Sequence, residues 1–85
     1  MGRIMKVTVK LFAFLGERLG PAVEIDVPKS VTQAALKDAV LELDPALEAT
    51  LANSRVAVDQ EFVNEDVLQL SEASEVALIP PVSGG

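Results

Sequence analysis

The sequence predicts a two-layer α+β domain, in which a mixed sheet of about five strands packs on one main helix with short helical turns. Three observations lead to this prediction. Segments with period-two alternation lie at both ends of the chain, one amphipathic segment with helical spacing lies between them, and 85 residues suffice for only one hydrophobic core. Because a single amphipathic helix covers only one face of a sheet, a two-layer arrangement follows.

The first third of the chain predicts two strands joined by a helical turn. In the stretch MKVTVKLF, the apolar residues of one face are Met5, Val7, Val9 and Leu11. In AVEIDV, the corresponding residues are Val23, Ile25 and Val27. Between the two strands, Leu15 and Leu19 stand four residues apart and indicate one helical turn, which Gly20 and Pro21 end.

The main helix is predicted in the stretch VTQAALKDAVLEL, after Pro28 closes the second strand. Ser30 is placed as the N-cap and Gln33 as the third helical residue, which together form a capping box. The apolar face of this helix is predicted to contain Leu36, Val40 and Leu43, with Ala35 and Ala39 alongside. Pro45 disfavours helical geometry at the residue before it and therefore ends the helix.

A second short helical turn and the later strands complete the pattern. Asp44 caps a turn that has Pro45 at its first position and Leu47 and Leu51 on one side. RVAVD and EFV read as two strands around a tight turn at Asp59 and Gln60, whereas VLQL is compatible with a turn or a short strand. In EVALIP, the final strand, Val76 and Leu78 share one face, and Ala77 and Ile79 share the other. If the first and last strands lie side by side, this order is the β-grasp, or ubiquitin-like, fold.

Composition excludes most conventional active sites and several kinds of partner. The chain has no cysteine and no histidine, so disulfides, thiolate metal sites and histidine acid–base catalysis are excluded, and no metal site is expected. The net charge is −6, and residues 56–85 hold acidic residues but no basic ones. This sign disfavours nucleic acid and favours either a basic protein partner or simple solubility. The absence of a long apolar stretch predicts no membrane contact and a cytoplasmic protein.

Two apolar residues are candidates for a protein interface. Phe62 lies beside the predicted turn, and Ile79 points away from the inner face of the last strand. If the helix covers one sheet face, both side chains form a patch on the other face that invites a partner. The alternative is that these strands are too short for their alternation to be reliable and that both residues belong to the core.

The end of the chain is the remaining candidate for chemistry. Pro80 and Pro81 stop the last strand, which predicts a domain over 1–81 and an extended tail over 82–85. The four tail residues can reach about 13–14 Å. The final two, Gly84 and Gly85, have no Cβ and can pass through a narrow channel to present an unhindered α-carboxylate. The alternative is an ordinary frayed end.

The sequence resembles the ubiquitin-like sulfur carriers that include the small subunits of molybdopterin synthase. The resemblance covers essentially the whole chain and rests on VKLFAFLGERLG, SVTQAALKDAVLEL, AVDQEFV and EVALIPPVSGG. The last of these is the most specific, because members of the family typically end on PPV, a small hydroxyl residue and GG. Two departures are Gly16 where the family usually has arginine, with Arg18 two places later, and Ala73 where glycine is common.

The resemblance implies a sulfur-donating subunit with no catalytic side chain and no bound cofactor of its own. An adenylating, E1-like enzyme would use ATP to activate Gly85, and a sulfur donor protein would convert it to a thiocarboxylate. The tail would then enter the large subunit and deliver sulfur to a cyclic pyranopterin precursor of the molybdenum cofactor, within a heterotetramer of two small and two large subunits. Phe62 and Ile79 would contact the large subunit. The residues implied to thread its active site are Pro81, Val82, Ser83 and Gly84.

Three other functions remain open at this point. The chain could serve as a sulfur carrier for thiamine thiazole or tRNA thiolation, as a ubiquitin-like modifier joined to lysines through Gly85, or as an interaction domain with a passive tail. Thiazole carriers are generally shorter and lack the FAFLGERLG-like segment. A modifier would produce a ladder of larger adducts, which a sulfur carrier would not.

Overall fold

The computed structural model describes residues 4–81, which form seven strands, three α-helices and one 3₁₀ turn. The strands are β1 (Ile4–Leu11), β2 (Ala22–Pro28), β3 (Ser30–Thr32), β4 (Arg55–Val58), β5 (Glu61–Phe62), β6 (Val67–Gln69) and β7 (Val76–Ile79). The helices are α1 (Ala13–Leu19), α2 (Gln33–Leu41) and α3 (Glu48–Ala52), and the 3₁₀ turn is Pro45–Leu47. Within these residues, no helix is long and apolar enough to cross a membrane.

The main sheet has the mixed topology that the sequence predicts. Its strand order is β2-β1-β7-β4-β5, with β1 and β7 parallel at the centre and the other neighbours antiparallel. The first and last strands of the described chain therefore lie side by side, and the α+β prediction is confirmed. A separate two-stranded sheet, β3-β6, settles the open question about VLQL, which forms a strand.

The core lies between the helices and one face of the main sheet. The strands contribute Val7, Val9, Leu11, Ile25, Val27, Val56, Val76 and Leu78, all of which are buried. The helical segments contribute Leu15, Leu36, Val40, Leu47 and Leu51, and the small sheet and the residue after it contribute Val31, Leu68 and Leu70. The predicted alternation of the first, second and last strands is confirmed, since the predicted inward residues are among these, apart from Met5 and Val23, which are partly buried and pack against the core. The opposite face of the main sheet carries none of the helices and is called the outer face below.

The start of α2 differs from the prediction. Its N-cap is Thr32, whose Oγ1 accepts a hydrogen bond from the Ala35 N–H group at 3.0 Å, so the capping box proposed for Ser30 and Gln33 is wrong. Ser30 and Val31 belong instead to β3, because burying Val31 requires the strand pairing of the small sheet. The side-chain amide of Gln33 donates to backbone carbonyls in the loop before β6.

The end of α2 also differs from the prediction. The helix ends at Leu41, and Leu43 is 51% exposed rather than part of the apolar face. Its N–H group bonds to the Val40 carbonyl over three residues, which tightens the last turn and rotates the side chain away from the core. The following turn matches its prediction, since Asp44 Oδ1 accepts from the Ala46 N–H group.

The β4–β5 hairpin contains a testable backbone strain. Asp59 and Gln60 form a two-residue turn with positive φ angles of 52° and 71°, a geometry that favours glycine at the second position. We expect Gln60→Gly to raise the free energy of unfolding by about 0.5–1 kcal/mol in urea denaturation. The control is Gln69→Gly in β6, where extended backbone makes glycine destabilising. If Gln60→Gly is less stable than the wild type, the inference that the backbone is strained at Gln60 is contradicted.

An ion pair joins α1 to the segment after α2. Asp44 Oδ2 accepts from Arg18 Nε at 3.0 Å and from Arg18 Nη2 at 2.7 Å. The hydrogen bond from Arg18 is the main cause that holds the pKa of Asp44 below its ordinary value of 3.8, with a smaller contribution from the Ala46 N–H group and against the opposing effect of burial. This pair fixes the first connection to the helical layer.

The pair predicts a loss of stability in acid. A lowered folded-state pKa stabilises the fold above the unfolded-state pKa, and this stabilisation is lost as the pH falls through the folded-state pKa. We expect Asp44→Asn, which keeps a capping oxygen, to be less stable than the wild type at neutral pH, with a difference that shrinks below pH 3.8. Urea titrations at several pH values measure this. Asp26→Asn, which removes only an exposed pair with Lys6 at 3.5 Å, should change little. If the difference in the free energy of unfolding between Asp44→Asn and the wild type is the same at every pH, the prediction is contradicted.

Candidate functional site

The outer face of the main sheet carries a depression with a floor of small residues. Ala57 of β4 pairs with Ala77 of β7 on one side and with Phe62 of β5 on the other. The two alanines leave a hollow of about 290 Å³, because neither side chain extends beyond its Cβ. The hollow, called the outer depression, is lined by Lys10, Phe12, Ala57, Gln60, Phe62, Glu75, Ala77 and Ile79.

The structure brings together the two residues that the sequence proposed as an interface. Phe62 and Ile79 both line the outer depression, although they lie on strands that are not neighbours. Phe62 is 48% exposed and Ile79 is half-buried, so neither belongs to the core between sheet and helices. Their outward orientation is as predicted. Their contact with a partner stays a prediction.

Charged side chains border the apolar surface. The Arg55 guanidinium lies over the Phe62 ring, with Cζ 3.9 Å from the ring centroid, and holds the ring in place through a cation–π interaction. Lys10 Nζ lies 3.3 Å from Glu75 Oε2 at the other side of the depression. Both pairs are exposed and contribute little to stability. They leave an apolar centre with a charged rim, which is the usual arrangement of a protein interface.

Phe12 belongs to the same surface and was not singled out from the sequence. It is 47% exposed and lines the outer depression directly after β1. The signal was present, because Lys10 faces outward and period-two alternation continued by one step places Phe12 on the same face. The sequence prediction placed this residue at the end of the first strand, MKVTVKLF, but did not propose it for the interface.

A second apolar hollow lies on the other side of Phe12 and Ile79. It has a volume of about 620 Å³ and is called the Phe14 groove. Its lining residues are Phe12, Ala13, Phe14, Ala49, Thr50, Asn53, Ile79, Pro80 and Pro81. Ala13 has a φ angle of 52°, an unusual value for alanine, at the point where β1 turns into α1. Phe14 follows it and is half-exposed.

The chain leaves the sheet between these two hollows. Ile79 pairs with Arg55 as the last residue of β7, Pro80 is buried, and Pro81 is exposed at the edge of the Phe14 groove. Neither proline has an N–H group to continue the strand ladder. The remaining candidate residues of the tail lie outside the described residues, as does the proposed boundary at 82. These are Val82, Ser83, Gly84 and Gly85.

The departure at Gly16 has a structural reason. A Cβ at this position would lie 3.1 Å from the Leu11 carbonyl oxygen, so a side chain there would require the backbone to shift. Arg18 is engaged by Asp44, as described above. The first connection is thus fixed by packing and by one ion pair. Among residues 4–81, no group of three or more acidic side chains could hold a metal ion.

Comparison with known sequences finds a matching family model and related proteins that share one name. The model of the ThiS family matches residues 9–85. The molybdopterin synthase sulfur carrier subunit of Caenorhabditis elegans is 39% identical over 62 residues, which cover 72% of this chain and 74% of that protein. The protein of the same name from Dictyostelium discoideum is 35% identical over 80 residues, which cover 91% and 93%.

Comparison with solved structures supports the fold. SAMP1 from Haloferax volcanii superposes with a TM-score of 0.76 at 31% identity, over 95% of this chain and 100% of that one. Subunits of the molybdopterin-converting factor of Helicobacter pylori, solved as a complex of subunits 1 and 2, include a chain with a TM-score of 0.66 at 22% identity, over 95% and 100%. The second likeness bears on the fold alone. These ubiquitin-like neighbours agree with the predicted β-grasp fold.

Proposed function

This chain belongs to the ThiS family, and we propose that it is the sulfur-carrier small subunit of a molybdopterin synthase. The observation that carries the proposal is its 35% identity over 80 residues to a subunit of that name, which extends over nearly the whole of both chains. The absence of cysteine is compatible with this role, because the sulfur is carried on the backbone terminus and not on a side chain. The reaction consumes ATP, and the proposed location is the cytoplasm.

The proposed chemistry takes place at the carboxyl group of Gly85. A carboxylate is inert toward nucleophiles, so an E1-like partner first joins it to AMP from ATP and releases pyrophosphate. Sulfide supplied by a sulfur donor protein then attacks the acyl carbon, the bond to AMP breaks, and a thiocarboxylate remains. In the synthase, the thiocarboxylate sulfur attacks a carbon of the cyclic pyranopterin precursor, a carbon–oxygen bond at that carbon breaks, and a thioester forms. Water then cleaves the bond between the acyl carbon and the sulfur, which leaves the sulfur on the pterin and restores the carboxylate, so that one dithiolene consumes two thiocarboxylated chains. The chain contributes its terminus, and the side chains that catalyse the transfer belong to the large subunit.

The outer depression is the proposed docking surface for the large subunit. Phe62, Ile79 and Phe12 provide an apolar wall around a floor of small residues, which accommodates a bulky apolar side chain from a partner. Ile79, which lines the depression, lies two residues before Pro81, the last residue before the proposed tail. Docking here therefore fixes the start of the tail relative to the partner and directs Gly84 and Gly85 into its active site.

An intact-mass measurement tests the proposal. The purified protein is incubated with an E1-like enzyme, ATP and a sulfur donor, and we expect the mass increase of one oxygen replaced by sulfur. A variant without Gly85 should show no increase at its new terminus. The modified protein is then mixed with a large synthase subunit and the pyranopterin precursor, where loss of the added mass and formation of a dithiolene product are expected. No mass increase under any of these conditions would overturn the proposal.

A second candidate function is covalent modification of other proteins. The observation that favours it is the 31% identity to SAMP1, a name that stands for small archaeal modifier protein 1. The same adenylated Gly85 would then be attacked by a lysine amine instead of a sulfur donor. Expression of a tagged chain in its host distinguishes the two functions, because a modifier produces a ladder of isopeptide adducts that disappears when Gly85 is removed.

A further inference from the structure

We propose that the Phe14 groove binds an uncharged, apolar segment of the same large subunit, so that the partner holds the chain exit from two sides. The inference rests on the proposed function and adds a second contact surface to it. It assigns Phe14, which lines only this groove, as the anchor of that surface. Four observations support it.

The first observation is the composition of the groove. None of its nine lining residues is charged, although 24% of the chain is charged. Phe12 and Phe14 are each about half-exposed there, and two neighbouring exposed aromatic rings form an apolar surface that water solvates poorly. Such a surface suits an apolar partner segment and gives no anchor for a charged one.

The second observation is that Phe14 is not part of the hydrophobic core. Leu15 is fully buried and Leu19 is partly buried, and these two residues attach α1 to the core. Phe14 lies off that stripe. Ala13, directly before it, adopts a left-handed backbone conformation that is unfavourable for alanine and is more often retained at functional positions.

The third observation is continuity with the proposed docking surface. Phe12 and Ile79 line both hollows, so the apolar surface passes from the outer depression into the Phe14 groove without a charged border. A partner seated in the outer depression already contacts these two residues. It needs only a short extension to reach Phe14.

The fourth observation is the length of chain beyond Pro81. Four residues separate Pro81 from the reacting carboxyl group, and they span at most about 14 Å. The catalytic residues of the partner must therefore approach Pro81 to within that distance, and Pro81 is itself a wall of the groove. A second copy of this chain is a poorer occupant, because the net charge of −6 opposes self-association.

Binding measurements with the intact chain and a purified large subunit test the inference. Phe14→Gln removes the apolar ring without adding charge, and we expect it to raise the Kd by about tenfold or more. Phe14→Leu should restore most of the affinity. The matched control is Leu43→Gln, since Leu43 is 51% exposed against 48% for Phe14 but lines neither hollow, and its Kd should stay within about twofold of the wild type.

The outcomes separate this inference from the proposed function. If Phe14→Gln binds like the wild type while Phe62→Ala binds weakly, the groove inference is overturned and the proposed function stands. If the wild type itself does not bind a large subunit, the proposed function fails and the inference with it. Sedimentation of the free chain adds a further check, because self-association that Phe14→Gln abolishes would assign the groove to a second copy and overturn the inference.

Discussion

Replacing Gly84 by valine is expected to abolish sulfur transfer while the domain stays as stable as the wild type. The proposed route for the terminus is a channel in the partner enzymes that admits backbone but no side chain, and a β-branched residue is both wide and stiff. Position 84 lies five residues after Ile79, the end of β7, and glycine has no side chain, so the substitution removes no side-chain contact. We expect the rate of product formation to fall on the order of 100-fold or more.

Single-turnover assays with a thiocarboxylated variant measure this effect. The terminus is formed chemically, so that failure of adenylation does not mask failure of transfer. Ser83→Ala is the control, because it changes the neighbouring tail residue without adding bulk and should retain most of the activity. Urea denaturation of the Gly84 variant should match the wild type. Full transfer by the valine variant would contradict a narrow channel.

The strands of this fold could be predicted because their alternation is local and regular. Val7, Val9 and Leu11 alternate with polar residues over one long strand, and Val76 and Leu78 alternate with Ala77 and Ile79 in the last strand. The two-layer arrangement followed from the single helix between them, since one helix can cover only one face of a sheet. No long-range contact had to be known for either step, whereas the side-by-side placement of the first and last strands was only one possibility that the structure then showed.

The start and end of α2 could not be predicted from helical spacing, because pairing with a distant strand decides the start and the turn capped by Asp44 decides the end. Ser30 has the sequence features of a cap, but Val31 is buried by pairing with Leu68, which lies far along the chain. That pairing moves the helix start to Gln33. Leu43 fits the helical spacing, but the connection to the turn capped by Asp44 ends the helix first. Local propensity gave the wrong cap at Ser30 because a distant strand competed for the same residues.

The candidate site could be predicted only in part, because it too depends on elements that are distant in the sequence. Phe62 and Ile79 were placed outward by alternation, but their approach to each other depends on the order of β7, β4 and β5 in the sheet. Phe12 could have been found by continuing the alternation of β1. Phe14 could not, because the groove it lines forms only when α3 and the chain exit meet beside α1.

The double variant Phe62→Ala and Ile79→Ala is expected to weaken binding of the large subunit on the order of 100-fold. Each truncation removes apolar area that the complex would bury, and about 25 cal/mol per Å² makes the loss of two such side chains worth roughly 2–3 kcal/mol. Both residues lie outside the core between sheet and helices, so the free energy of unfolding should change less than the affinity. Titration calorimetry with the purified large subunit measures the Kd.

A matched double variant separates this effect from a general loss of exposed apolar area. Val67 is 46% exposed against 48% for Phe62, but it lies in the small sheet, and Leu43 lies after α2. Val67→Ala combined with Leu43→Ala should therefore leave the Kd within about twofold of the wild type. If both double variants weaken binding equally, the outer depression is not the docking surface. If only the Phe62 and Ile79 variant loses affinity, and a thiocarboxylate preformed on it transfers sulfur normally at saturating large subunit, the depression contributes binding and the tail contributes the chemistry.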